Sequence, residues 1–186
     1  MDTSSDEEDK TYMHRLAAGD DSALTLLIRK HGSSIMRFAT NLLDDADTAE
    51  DVVQHVFTQA WQNAHRWKPR AQVKTWLYTI AHNYCLNILK STKRYIQDSS
   101  LLDGIDESDL AEESATRSQS RKVIDLAMNS LPKRQKTVLL LRYAEGFSQS
   151  EAAEIMGVSE KALESLASRG KSEMAKKLRP IKEALL

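Results

Sequence analysis

Apolar residues recur along most of this chain at the spacing of amphipathic helices. The helical signal begins near Met13 and breaks at Gly19-Asp20. It resumes over Ser22–Lys30, where Leu24, Leu27 and Ile28 share a face. Gly32 predicts a division between that helix and another over Ser34–Leu43. Asp47, three residues ahead of Glu50, predicts an N-cap. From there Val53, Val56, Phe57, Ala60, Trp61 and Ala64 form one stripe, with Phe57 and Trp61 expected to point inward. Pro69 makes Arg66–Ala71 a loop. A second long helix then buries Val73, Trp76, Leu77, Ile80, Ala81, Tyr84 and Ile88, and shows Lys74, Thr75, Thr79, His82, Asn83 and Lys90 on its other face.

The periodicity fades near Arg94. Residues 95–116 hold few large apolar side chains after Leu101-Leu102 and seven acids without a base, too little buried surface to offset ordering entropy. They read as a flexible acidic linker. Helical pattern returns from Ser118 to Ser130. Pro132 suits the first turn of the next helix, which carries Val138, Leu139 and Leu141 and stops at Gly146. Ser148 and Glu151 form a capping box, with Phe147 placed to staple on Ala152. That short helix ends at Met156-Gly157, and Ser159 caps a last one running toward Arg179. The expected fold is all-α: an acidic disordered N-terminus (1–12), a helical domain (13–94), the linker (95–116) and a second helical domain (117–186).

The formal net charge of −1 conceals segregation. Residues 1–9 hold five acids and no base. With the acids of 1–9 and 95–116 set aside, 15 acids face 26 bases. Arg66–Arg94 has seven bases and no acid, whereas Asp44–Asp51 has five acids and no base. A basic block on an aromatic-bearing helix is the footprint of a nucleic-acid face, although a merely solvated face gives the same pattern. The single cysteine, Cys85, forms no intrachain disulfide and is expected to be a buried, inert thiol. With no bilayer-length apolar run and an acidic N-terminus, a soluble cytoplasmic protein is expected.

Counted from Gln149, the fifth residue is Ala153, the ninth Gly157 and the fifteenth Leu163. A helix-turn-helix needs a small residue where its helices touch, glycine at the turn and an apolar residue tucking the second helix down. Val158 and Leu166 complete the set. The groove-facing candidates on the second helix are Lys161, Glu164, Ser165, Ser168, Arg169, Lys171 and Ser172. The cations suit phosphates or guanine edges. Glu164 accepts from cytosine N4, repels phosphate, or simply points to solvent.

Asp51–Trp61 resembles the region-two helix of sigma factors of the extracytoplasmic-function (ECF, sigma-70 group 4) family. Thr75–Asn83 is similar to their minus-10 helix, and Leu131–Gly146 followed by Ser148–Gly157 to their region four. The resemblance spans roughly Met13–Lys93 and Val123–Leu178. It implies a bacterial alternative sigma factor that directs core RNA polymerase to specific promoters, helps melt the minus-10 element, responds to stress and is held by an anti-sigma factor. By position it implies polymerase docking through Asp47, Glu50, Asp51 and Gln54. It places minus-10 DNA at Trp67, Lys68, Arg70, Lys74, His82, Asn83, Lys90, Lys93 and Arg94, and minus-35 DNA at Lys161, Glu164, Ser165, Ser168, Arg169 and Lys171. Taken without the family, Trp67 is either a base-stacking platform or packing. His55 and His82 depart from the family's frequent Glu and Arg, and Glu164 and Leu166 stand where many members carry cations. The linker is similar to the one that threads the polymerase's RNA exit path.

There is no glycine-rich phosphate loop, and His14, His31, His55, His65 and His82 show no metal-ligand spacing. No enzyme activity, cofactor, small-molecule substrate or membrane insertion is expected. The other reading weighed is a sigma mimic that titrates an anti-sigma factor without binding DNA. The acid-free basic stretch argues against it.

Overall fold

A computed structural model describes the backbone of residues 3–68, 72–99 and 117–184, with side chains over 5–68, 72–92 and 123–179. The described residues are helical. In chain order they form α1 (Thr3–Ala17), α2 (Ser22–Leu43), α3 (Ala46–Asn63), a 3-10 turn (Ala64–Arg66), α4 (Val73–Ser99), α5 (Arg117–Asn129), α6 (Lys133–Leu139), a π-helical turn (Leu140–Ala144), α7 (Gln149–Met156) and α8 (Glu160–Ala184). Helices α1–α4 pack on one another as the first unit, and α5–α8 form the second.

Several boundaries differ from expectation. The acidic N-terminus is helical from Thr3, because Asp9 is buried and tied to α2. His31 Nε2 lies 2.9 Å and Lys30 Nζ 2.6 Å from its carboxylate. Burial opposes ionisation of Asp9, yet the hydrogen bonds and charges of His31 and Lys30 outweigh it and hold the carboxyl below its usual range. Asp9→Ala strips two buried cations of their partner. Thermal unfolding should report a loss of about 2 kcal/mol. With the folded pKa depressed, that contribution is present above about pH 4 and disappears on further acidification.

Gly32 divides nothing. It lies buried inside the single helix α2, where Cα hydrogen in place of a side chain lets α3 approach; an added Cβ would stand 3.9 Å from Phe57 Cε2. The α3 N-cap is Asp45 rather than Asp47, its carboxylate accepting from the Asp47 and Thr48 amides at 3.0 and 3.2 Å. Trp61, expected inward, is 50% exposed, and its indole N–H donates to Asp21 at 2.8 Å. Phe57 is buried as the stripe requires. Helix α4 runs through Ser99, five residues into the segment read as linker, and the remainder of that segment lies outside the described residues.

The punctuation of the second unit follows the sequence. The Ser148–Glu151 capping box is complete, with the Ser148 amide donating to Glu151 at 2.8 Å and the Glu151 amide donating to Ser148 Oγ at 3.3 Å. Gly157 takes the left-handed conformation (φ 61°), which costs a residue with a Cβ strain but costs glycine none. The Ala162 amide donates to Ser159 Oγ at 3.2 Å. Ala153 and Leu163 are buried where the two helices meet.

Candidate nucleic-acid interface

The helix-turn-helix is α7 and α8, and its outward face is available. Lys161, Glu164, Ser165, Ser168, Arg169 and Lys171 are all exposed, spread over three turns of α8. Arg169 is steadied by its own helix, donating to the Ser165 carbonyl and hydroxyl, both at 3.2 Å. Lys171 Nζ sits 4.8 Å over the Tyr143 ring. Arg134 of α6 joins Lys161 and Arg169 around a shallow depression. This is a cationic, serine-lined surface of the kind that grips phosphates and admits base edges.

On the first unit, Asp47, Glu50, Asp51 and Gln54 are exposed along α3. Beside them the α2–α3 surface opens a groove lined by Ile28, Gly32, Met36, Val53, Glu50 and Gln54. Ile28 remains 41% exposed there. An apolar floor with an acidic rim suits a basic helical partner.

The expected minus-10 face is not displayed as a single surface. Asn83, Lys90 and Lys68 are exposed, and Trp67 is half-buried edge-on to His14 at 5.9 Å. Arg70 and the side chains of Lys93 and Arg94 lie outside the described residues. Lys74 and His82 are turned away from solvent, because α7 and the turn before it pack on that side of α4. Lys74 Nζ donates to the Glu145 carbonyl at 2.8 Å and stands 4.5 Å over the Phe147 ring. His82 is 3% exposed. Thr75, placed on the open face from sequence, is buried as well.

Burial pushes the His82 imidazole down to about 4. A hydrogen bond with the Ile155 backbone opposes that shift, and the nearby Arg134 charge adds to it. Protons bind an exposed imidazole from about pH 6.5 downward but reach the buried one only near 4. Stability therefore falls as pH drops through that window and levels off beneath it. Thermal unfolding between pH 4 and 7 should show this slope, and His82→Gln should flatten it.

Sequence reasoning missed Tyr78 and Glu145. Tyr78 is the largest fully buried side chain, packed between Phe38 (5.3 Å) and Phe147 (4.8 Å), with its hydroxyl donating to Glu145 Oε2 at 2.7 Å. Burial and the adjoining carboxylate raise its pKa. Arg37 adds bonds to both Glu145 oxygens at 3.1 and 3.2 Å. A polar residue just before a turn glycine carries no sequence signal of such a role. His55 stacks flat on Tyr84 at 3.9 Å, a packing contact of α3 with α4. Cys85 is buried and its thiol is pushed up to about 12 by desolvation.

Two family models match the chain, Sigma-70 region 2 over residues 27–95 and Sigma-70, region 4 over residues 121–174. The chain belongs to the sigma-70 family, in its extracytoplasmic-function group. It is similar to the RNA polymerase sigma-H factor of Pseudomonas aeruginosa, 26% identical over 94% of this chain and 96% of that protein. It is also similar to the ECF RNA polymerase sigma-E factor of Haemophilus influenzae, 26% identical over 93% and 96%. Among solved structures, the sigma factor RpoE of Bartonella quintana, crystallised with the anti-sigma factor NepR, superposes with a TM-score of 0.69 at 26% identity, covering 83% of this chain and 96% of that one. CnrH, in complex with the cytosolic domain of CnrY, gives 0.71 at 22% identity over 93% and 98% and supports the fold. This ECF chain is thus an alternative sigma factor.

Proposed function

We propose that this sigma factor binds core RNA polymerase through the α2–α3 groove, places α4 and Trp67 on the minus-10 element, and inserts α8 into the major groove at the minus-35 element. The observation carrying this reading is the pairing of an acid-rimmed apolar groove on the first unit with an open cationic helix face on the second. Melting follows from the same parts. Extruding a base costs a few kcal/mol, and stacking on an aromatic platform such as Trp67 returns about 1–3 kcal/mol per base while cations follow the strand. The protein works in the cytoplasm, where promoters and polymerase are, and among the described residues no helix is long and apolar enough to cross a membrane.

An anti-sigma factor is its regulator, and stress its occasion. The groove between α2, α5, α6 and α8 suits an amphipathic helix of such a partner. It is lined by Ile124, Met128, Leu139, Tyr143 and Met174, and Ile124 and Tyr143 are 47% and 56% exposed. Transcription in vitro with core polymerase and promoter fragments tests the reading. Initiation from a restricted set supports it. Absence of core binding in a pull-down ends it. Charge reversal at Lys90, Lys93 and Arg94 should abolish promoter binding by a sigma factor and leave a DNA-blind anti-sigma decoy unaffected.

A further inference from the structure

The two units meet through a seam of three parts. At its centre Tyr78 and Phe147 meet edge to face, under the approach of α7 to α4. On one side Glu145, 3% exposed at its side chain, receives Arg37 and Tyr78 while its carbonyl receives Lys74. On the other, Asp44 at the end of α2 receives Lys133 at 3.1 Å and Lys136 at 2.8 Å. Lys136 is only 1% exposed, and its remaining partner is Asn129 at 2.7 Å. The arrangement is reciprocal: α2 offers a base to the second unit at Arg37 and, two turns on, an acid at Asp44. Sliding or rotating one unit on the other would strand a buried carboxylate and a buried ammonium at once. An intact buried pair adds little net stability, but half of one is expensive, so such pairs define a single docked geometry.

We propose that this chain latches itself: without any partner, Arg37, Lys74 and Tyr78 grip Glu145 and Asp44 grips Lys133 and Lys136, keeping the second unit seated over the Lys74–His82 side of α4. Covalent connection helps. The units belong to one chain, so docking is intramolecular, with an effective concentration on the order of millimolar. An interface that would bind its separated halves with a dissociation constant of only about 10 µM then leaves about 1% of molecules open. The consequence for function rests on the sigma reading above. Minus-10 and minus-35 elements lie about 25 base pairs apart, roughly 80 Å along the duplex at about 3.4 Å per pair. Helix α8, at about 1.5 Å per residue, is less than half that length and is held beside α4 through α7. A chain serving both elements must open, and opening is the step that core polymerase would have to drive.

The test uses the full chain with spin labels or fluorophores at Gln62→Cys and Ala175→Cys, both exposed, while Cys85 stays buried and unlabelled. The unpartnered protein should give one narrow distance distribution. Glu145→Ala should raise the open-to-closed ratio at least tenfold and broaden the distribution. Arg37→Glu, at the solvent edge of the seam, should do the same with helix content unchanged, and it decides the matter if Glu145→Ala fails to fold. A distribution already broad in the parent, or one unmoved in a folded Arg37→Glu chain, overturns the latch. Adding core polymerase separates the two ideas. If the latch variants open but polymerase leaves the parent closed, the latch stands and the sigma reading of its purpose falls.

Discussion

With Lys161, Arg169 and Lys171 all replaced by glutamine, binding to minus-35 DNA is expected to weaken about a hundredfold at 0.1 M salt. The slope of log affinity against log salt should become shallower by about 2 to 3, since each neutralised phosphate contributes roughly 0.9. The three side chains are exposed on the free face of α8, so the loss should come without loss of fold. Arg169 is the member with a fixed pose, held by Ser165, and removing it alone should cost the most sequence preference. Glu164→Gln resolves the acid among these cations. A gain for every sequence marks it as repelling phosphate, a loss confined to one base position marks it as reading cytosine, and no change marks it as solvated. Electrophoretic or fluorescence titration across a salt series measures all of these.

Leu163→Ala should be the most damaging single truncation in the second unit. Leu163 is 1% exposed and anchors α8 beneath α7, next to Ile155 and Ala153 in the same buried cluster. Deleting a fully buried leucine side chain costs about 2–5 kcal/mol, the spread reflecting how far the site collapses around the void. A unit of this size has few residues to share that loss. At about 4–8 °C per kcal/mol for a small domain, the transition of α5–α8 should fall by at least about 10 °C. Calorimetry should show that decrease while the first unit, whose core is built around Phe38, Leu27 and Val52, holds its own transition. An unchanged thermogram would mean that the α7–α8 packing is not what sustains the helix-turn-helix.

The helix-turn-helix was readable because its signals are local. Ser148, Glu151, Gly157 and Ser159 act on backbone groups two to four residues away, and residue type is enough to place them. The stripe that buries Val56, Phe57 and Ala60 was readable for the same reason. What escaped is what depends on distant partners. Periodicity assigns a helix one buried side, but α4 packs on the first unit and again on α7, so Thr75 and His82 are covered on the side expected to be open. Trp61 shows the opposite error, since at the end of α3 nothing large covers the indole and it reaches instead to Asp21. The N-terminal acids looked too charged to order, and Lys30 and His31 supply the compensation 22 residues away. Glu145 finds Tyr78 and Arg37 at separations of 67 and 108 residues, beyond any local pattern.

The π-helical turn at Leu140–Ala144 gives the seam a register that a single codon could alter. There the Glu145 amide reaches back five residues to the Leu140 carbonyl (3.0 Å) rather than four, which accommodates one residue more than a regular helix would. Deleting one residue from this turn would restore ordinary winding and swing everything after it by about 100°. Glu145 would then point away from Tyr78, and the DNA-reading helix would leave in a new direction. Natural length variants at this spot would accordingly trade one relative orientation of the two halves for another, without touching a core residue of either.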